Sequence, residues 1–179
     1  CLAIAGTHGK TTISSLLAYI LSNNFIDCSA FLGGIATDFD SNLRIGSTDI
    51  AVVEADEFDR SFLKLSPNWA LISSIDADHL DIYGTAHHFL ESFHLFSNNV
   101  KDGNLIVKEG IEIPSKYTYA LGSDTSDFSA KNIRVEGGVY YFDLVYPKGI
   151  CENIISGLQG IHNVENALAA FSMAYIQGL

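Results

Sequence analysis

Basic residues are scarce in this 179-residue chain: Lys and Arg number 10 against 21 Asp and Glu, a formal net charge of −11. So sparse a positive complement argues against a phosphate-backbone footprint, and nucleic acid is not an expected partner. Nucleotides stay open, because they need one or two well-placed cations rather than a basic face. Cysteine is scarce too. Cys1, Cys28 and Cys151 are an odd number at wide spacing, which makes neither a disulfide framework nor a metal knuckle and fits a reducing, cytoplasmic setting. No apolar run approaches the ~18–20 residues that span a bilayer, and no signal peptide is visible, so no membrane partner is expected. An initiator Met is also missing. The chain opens on Cys1-Leu2-Ala3-Ile4-Ala5, which reads as the tail of a buried strand. A processed or cloned start would account for this; the expectation preferred here is a piece of a longer protein, beginning one strand before a motif.

What is present is core material. Hydrophobic residues make up 47% and aromatics 11%, enough apolar surface for one ordinary domain over residues 1–179 and against global disorder. Leu2 to Ala5 stops at Gly6, and from Thr11 onward Ile13, Leu16, Leu17, Ile20 and Leu21 recur at helical spacing. Ala30 to Leu32 reads as a strand ending in Gly33-Gly34. Ile50 to Val53 and Trp69 to Ile72 are continuous apolar runs, the pattern of parallel strands covered on both faces. Residues 85–98 read as an amphipathic helix, and Asn104 to Val107 as another strand. After about residue 115 the period shortens to two in Tyr117 to Leu121 and Ser129 to Glu136, and Gly137-Gly138 signals a hairpin into Val139 to Tyr146. Asn163 to Ile176 closes the chain as a helix. The expected fold is α/β: a P-loop-type, mostly parallel sheet flanked by helices, with a small antiparallel β patch in the C-terminal third.

The sharpest motif is Gly6-Thr7-His8-Gly9-Lys10-Thr11-Thr12, placed between strand and helix. A glycine-rich turn aims backbone N–H groups inward, and the helix N-terminus adds partial positive charge. Lys10 is placed to reach β- and γ-phosphates, and the Thr11 hydroxyl to complete a Mg²⁺ shell. The full pattern wants glycine where this chain has Ile4, so the motif is a short G-x-x-G-K-T variant. A plain helix start capped by threonine is the competing reading. His8 lies within the loop, where its backbone matters more than its ring.

Ligands of open α/β sheets gather at the carboxyl ends of strands. Two apolar strands here end in charge, at Glu54 and at the Asp76, Asp78, His79 group. Glu54 suits a hard divalent cation, and His79 could take a second cation or orient a reactant. Asp56, Glu57, Asp59, Asp76 and Asp81 read instead as solvated loop residues or helix caps. His87, His88 and His94 read as helix-surface residues. On the closing helix His162 and Asn166 share a face, with Asn163 beside them; an amide can pair with an adenine edge and an imidazole can contact ribose. Helix capping by Asn163 explains the spacing as well.

Four runs together, G-T-H-G-K-T-T (6–12), E-A-D-E-F-D (54–59), D-A-D-H-L-D (76–81) and H-N-V-E-N-A-L-A-A (162–170), resemble the ATP-dependent Mur ligases of peptidoglycan synthesis. The extended runs 54–63 and 76–84 look most like members that join L-alanine to UDP-N-acetylmuramate; a relative that recycles murein peptides is the nearest confusion. The resemblance implies the central ATPase domain of three, with an N-terminal UDP-sugar domain and a C-terminal Rossmann-like domain elsewhere in the polypeptide, and little ligation by this piece alone. It implies ATP and Mg²⁺ as cofactors. UDP-N-acetylmuramate, activated as an acyl phosphate, and L-alanine are the small-molecule partners it implies. By the same resemblance Gly6 to Thr12 cradle phosphate, Thr11 and Glu54 hold one Mg²⁺ and His79 another, and Lys10 and His79 serve catalysis. His162, Asn163 and Asn166 would contact adenine and ribose, and Gly33 and Gly34 the sugar side. Two departures stand out: no lysine occurs between Lys64 and Lys101 to supply a carbamoylated metal bridge, and Ile161 stands where relatives often carry Arg. A folylpolyglutamate-synthase-like ligase shares the loop, and a P-loop interaction module is the alternative of another class. A guanine-type N-K-x-D motif is absent.

Overall fold

The computed structural model describes residues 1–76 and 83–179. His79, together with Asp78 and Asp81, lies outside the described residues.

Among the described residues ten strands form a single sheet. They are β1 (Leu2–Ala5), β2 (Ser29–Ala36), β3 (Ser41–Arg44), β4 (Ala51–Glu54), β5 (Trp69–Ile72), β6 (Leu105–Lys108), β7 (Tyr117–Leu121), β8 (Phe128–Glu136), β9 (Val139–Tyr146) and β10 (Gly149–Ser156). Among the described residues three α-helices accompany them: α1 (Lys10–Asn23), α2 (Ala86–Asn98) and α3 (Ile161–Tyr175). The strand order is β10-β9-β8-β7-β6-β5-β1-β4-β2-β3. From β2 through β8 neighbours run parallel, so β1, β4 and β5 point their carboxyl ends the same way. The chain winds out from β1 on the β4 side, then continues on the β5 side. That reversal of direction is where an open α/β sheet leaves a crevice.

Strand parity decides which core each residue joins. Leu2, Ile4, Leu71 and Ile106 face one side, where Ile13, Leu17 and Leu21 of α1 meet Val164, Leu168 and Met173 of α3. Ala3, Ala5, Ala70, Ile72, Leu105 and Val107 face the other. There a run of alanines leaves room for bulky rings: Phe62 from a short 3-10 turn, and Phe89, Phe93 and Phe96 from α2. Phe93 is fully buried, with ring centroids 5.4 Å from Phe62 and 5.2 Å from Phe89. Phe93→Ala is therefore expected to cost about 3–5 kcal/mol in denaturant unfolding; a loss below about 1 kcal/mol would remove this cluster from the core.

The helix predicted over 85–98 is capped by Thr85, whose Oγ1 accepts the His88 N–H at 3.2 Å. Three features differ from the sequence expectation. β2 does not stop at Gly33-Gly34 but runs through both. β3 and β10 carry no apolar alternation strong enough to announce them, and both are edge strands. β7, read by its period as half-exposed, joins both neighbours in parallel, so the C-terminal antiparallel patch comprises β8, β9 and β10, while β3 pairs antiparallel with β2 at the opposite edge. Within that patch two bulges face each other across β9, between Lys131 and Arg134 and between Cys151 and Ile154. Asn132 and Asn153 take left-handed backbone there, φ 49° and 58°. The Asp143 carboxylate ties both, accepting Asn132 Nδ2 at 2.6 Å and the Asn153 N–H at 2.9 Å.

Candidate functional site

The loop from Gly6 to Gly9 joins β1 to α1 and is moulded by the end of neighbouring β5. Thr7 N–H donates to the Ser74 carbonyl at 3.1 Å, and the Thr7 and Ser74 hydroxyls pair at 2.8 Å. His8 N–H donates to Ser74 Oγ at 3.0 Å, while Ser73 Oγ donates to the His8 carbonyl at 2.5 Å. Gly6 has φ 124°, and a Cβ there would lie 2.3 Å from Ser73 Oγ and 2.8 Å from Ser74 N, so only glycine fits. The pair Ser73-Ser74 thus fixes the loop, and the sequence reading missed it. Serines after an apolar strand carry no signal until that strand is known to lie beside β1.

Gly9, at φ 82°, is the residue before α1, and no side chain caps the helix. This excludes the reading of an ordinary threonine-capped start. The N–H groups of the first turn have no acceptor within the helix. They border a cavity of about 390 Å³ lined by Thr7, Gly9, Lys10, Thr11, Thr12, Glu54, Asp56 and Phe58. A helix N-terminus opening into a hollow of that size has the free N–H groups and partial positive charge that suit an anion.

Two of its side chains are held in register by carboxylates. Thr11 Oγ1 donates to Glu54 Oε1 at 2.9 Å. The other oxygen of Glu54 accepts the Gly33 N–H at 2.6 Å. A Cβ on Gly33 would sit 2.6–2.9 Å from the Glu54 carboxylate, so β2 passes through glycine here to make room for the acid. Thr11 and Glu54 supply hard oxygen donors side by side at the cavity wall, a set that fits Mg²⁺. Lys10 Nζ donates to the Gly6 carbonyl at 2.9 Å and to both Glu57 oxygens, at 3.0 and 2.8 Å.

Glu57 departs from the sequence reading. It was expected in a solvated loop, yet its side chain is 1% exposed and pairs with Lys10. Asp56 and Asp59 do behave as loop acids, accepting the N–H groups of Phe58 at 3.0 Å and Ser61 at 2.8 Å. Asp76, also exposed, lies 3.3 Å from His8 Nε2.

A second cavity, about 370 Å³, opens on the other side of the loop. It is lined by His8, Gly9, Ser73, Ser74, Asp76, Lys108, Tyr119, His162, Glu165 and Asn166. Gly9 touches both hollows, and a Cβ on it would meet Asn166 Oδ1 at 2.4 Å. His162 and Asn166 thus come together at the loop as their spacing predicts. Asn163 does not: it faces a separate apolar hollow beside Leu16, Tyr19 and Ile20. Its Oδ1 accepts Asn166 Nδ2 at 3.1 Å, and its own Nδ2 donates to the Gln159 carbonyl at 2.7 Å. Asn163 therefore orients Asn166 rather than lining the cavity. Lys108 and Glu165 pair across the cavity at 3.0 Å. Burial, reinforced by the Glu165 charge, pushes the Tyr119 phenol far above its usual pKa, so it stays a neutral donor at the cavity wall.

Among the described residues, no helix is long and apolar enough to cross a membrane. The chain is 50% identical over 180 residues to the UDP-N-acetylmuramate–L-alanine ligase of Christiangramia forsetii, covering 99% of this chain and 39% of that relative. It spans about two fifths of the length of the curated relatives it matches. Among solved structures, the UDP-N-acetylmuramate–alanine ligase of Thermotoga maritima superposes with a TM-score of 0.84 at 24% identity, covering 99% of this chain and 41% of that one. A UDP-N-acetylmuramate:L-alanyl-γ-D-glutamyl-meso-diaminopimelate ligase from Neisseria meningitides gives 0.84 at 23%, over 99% of this chain and 61% of that one. The family described as the Mur ligase middle domain matches residues 4–174, from the β1 strand to the end of α3. On that match over nearly its whole length, the chain belongs to the Mur ligase middle-domain family.

Proposed function

We propose that this chain is the ATP-handling domain of a cytoplasmic ligase that joins L-alanine to UDP-N-acetylmuramate in peptidoglycan precursor synthesis. The observation that carries it is the uncapped α1 N-terminus with Lys10, Thr11 and Glu54 gathered round one cavity. The identity of 50% to a UDP-N-acetylmuramate–L-alanine ligase supports the choice of substrates. On this reading the uridine-sugar and amino-acid sites lie on N- and C-terminal domains, the chain spanning 39% of that relative's length.

The chemistry joins two anions, a carboxylate and a triphosphate, so charge neutralisation is the first requirement. The ATP γ-phosphoryl group passes to the lactyl carboxylate of the sugar nucleotide, giving an acyl phosphate and ADP. The alanine amine then attacks the acyl carbon, and phosphate leaves as the amide forms. Lys10 and the loop amides bind the β- and γ-phosphates. Thr11 and Glu54 would hold one Mg²⁺, whose charge offsets that of the triphosphate; His79 is assigned to a second. The cavity between His162, Asn166 and Tyr119 receives the adenosine, with Asn163 setting the Asn166 amide. In a chain of net charge −11 the cations that matter must be few and local.

The test is substrate dependence. The full-length polypeptide is expected to release phosphate from ATP only when UDP-N-acetylmuramate and L-alanine are both present, read in a coupled phosphate assay. Equal turnover with a folate and glutamate, or with a murein peptide in place of alanine, overturns the assignment.

A further inference from the structure

Before any ligand arrives, Lys10 is already held by an anion of the protein. An ammonium has three N–H groups, and three acceptors surround this one: the Gly6 carbonyl and both oxygens of Glu57. Glu57 is in no position to follow the lysine elsewhere. Its carbonyl accepts the Tyr83 hydroxyl at 2.5 Å and the Arg60 N–H at 3.0 Å. The Arg60 guanidinium in turn lies 4.7 Å from the centroid of the Tyr83 ring. Asp56 is a weaker neighbour, 4.0 Å from Nζ and 59% exposed.

Resting on the phosphate-site reading above, we infer that Glu57 is an internal stand-in for phosphate. It is an anion of the protein that competes with the nucleotide for Lys10 and thereby sets nucleotide affinity. Carboxylate and phosphate want the same donors, and both are negative. A phosphate oxygen that reaches Lys10 must share the ammonium with Glu57, and the incoming charge then faces a buried like charge across it. In a site sheltered from water such repulsion is weakly screened. With no nucleotide bound, the same carboxylate neutralises a lysine that is itself largely buried, 13% exposed, and holds the loop in shape. Stability and affinity are therefore set against each other at one residue. The opposition acts on ADP as well as ATP, so the carboxylate also favours product release.

The two effects separate in a binding experiment. Mg·ATP is titrated calorimetrically into the full-length polypeptide, wild type and Glu57→Gln, and thermal melting is followed without nucleotide. The variant is expected to bind Mg·ATP and Mg·ADP about 10-fold more tightly while melting at a lower temperature. A contact with a purely structural role lowers both, so affinity equal to or weaker than wild type overturns the inference. If wild type takes up no Mg·ATP, the phosphate-site reading itself falls and this inference with it. Tyr83→Phe leaves the carboxylate in place and frees only its backbone. It is expected to shift affinity in the same direction by roughly two-fold, which keeps the test decisive should Glu57→Gln fold poorly.

Discussion

Lys10→Ala is expected to lower ATP turnover by the full-length polypeptide by about 10³-fold or more, the scale set by removing a preorganised donor from a developing phosphoryl charge. The fall is expected in kcat, because the loop amides still bind phosphate weakly while the charge that strengthens toward the transition state is gone. This variant also strands Glu57. Breaking a buried ion pair from one side costs about 3–5 kcal/mol, since a desolvated carboxylate is left unmatched. A loss of turnover in Lys10→Ala alone would thus confuse chemistry with folding. The double variant Lys10→Ala, Glu57→Gln resolves it: melting temperature recovers most of the way to wild type, and turnover does not recover. Near-normal turnover in either variant removes Lys10 from the site.

Glu54→Gln is expected to have the second large effect, about 10²-fold in the Mg²⁺ concentration needed for half-maximal turnover, by analogy with other losses of ordered metal ligation. The carboxylate serves two donors at once, the Thr11 hydroxyl and the Gly33 amide. An amide has one acceptor oxygen, so the variant also leaves one of those donors facing an NH₂ group. Titrating Mg²⁺ at fixed ATP separates the contributions: a lost ligand shifts the half-saturation point, whereas a disturbed β2 strand lowers the plateau alone. An unchanged half-saturation point would show that Glu54 is not a ligand.

The parts of this site legible in the sequence are those whose physics is local. The phosphate loop is contiguous, and glycine, lysine and threonine are each needed for backbone or short-range reasons. Continuous apolar runs before Glu54 and Asp76 mark buried parallel strands whatever the tertiary arrangement. His162 and Asn166 share a face because a helix puts them there. Glu57 was not legible. In E-A-D-E-F-D it is the third acid of four, and only the folded loop, which ties its carbonyl to the Tyr83 hydroxyl and its carboxylate to Lys10, takes that one out of water. Gly33 misled in a related way. Paired glycines read as a strand end, but the first is needed within the strand because a carboxylate from the neighbouring strand fills the space of its Cβ. Asn163 has the right residue type one position from the right face, and a rotation of roughly 100° per residue separates a contact from its support.

The facing bulges of β8 and β10 bear on how the protein behaves at high concentration. A long sheet ending in an unpaired strand is a template on which another chain can add, and Ile150 and Ile155 stand exposed on that strand. The irregularities pinned by Asp143 bend and coil the ribbon, so its free N–H and C=O groups no longer form the straight row that a second strand would need. Glu152 places a charge on the same stretch. One carboxylate, buttressing two left-handed asparagines, thus breaks the regularity that edge-to-edge pairing would need along this border.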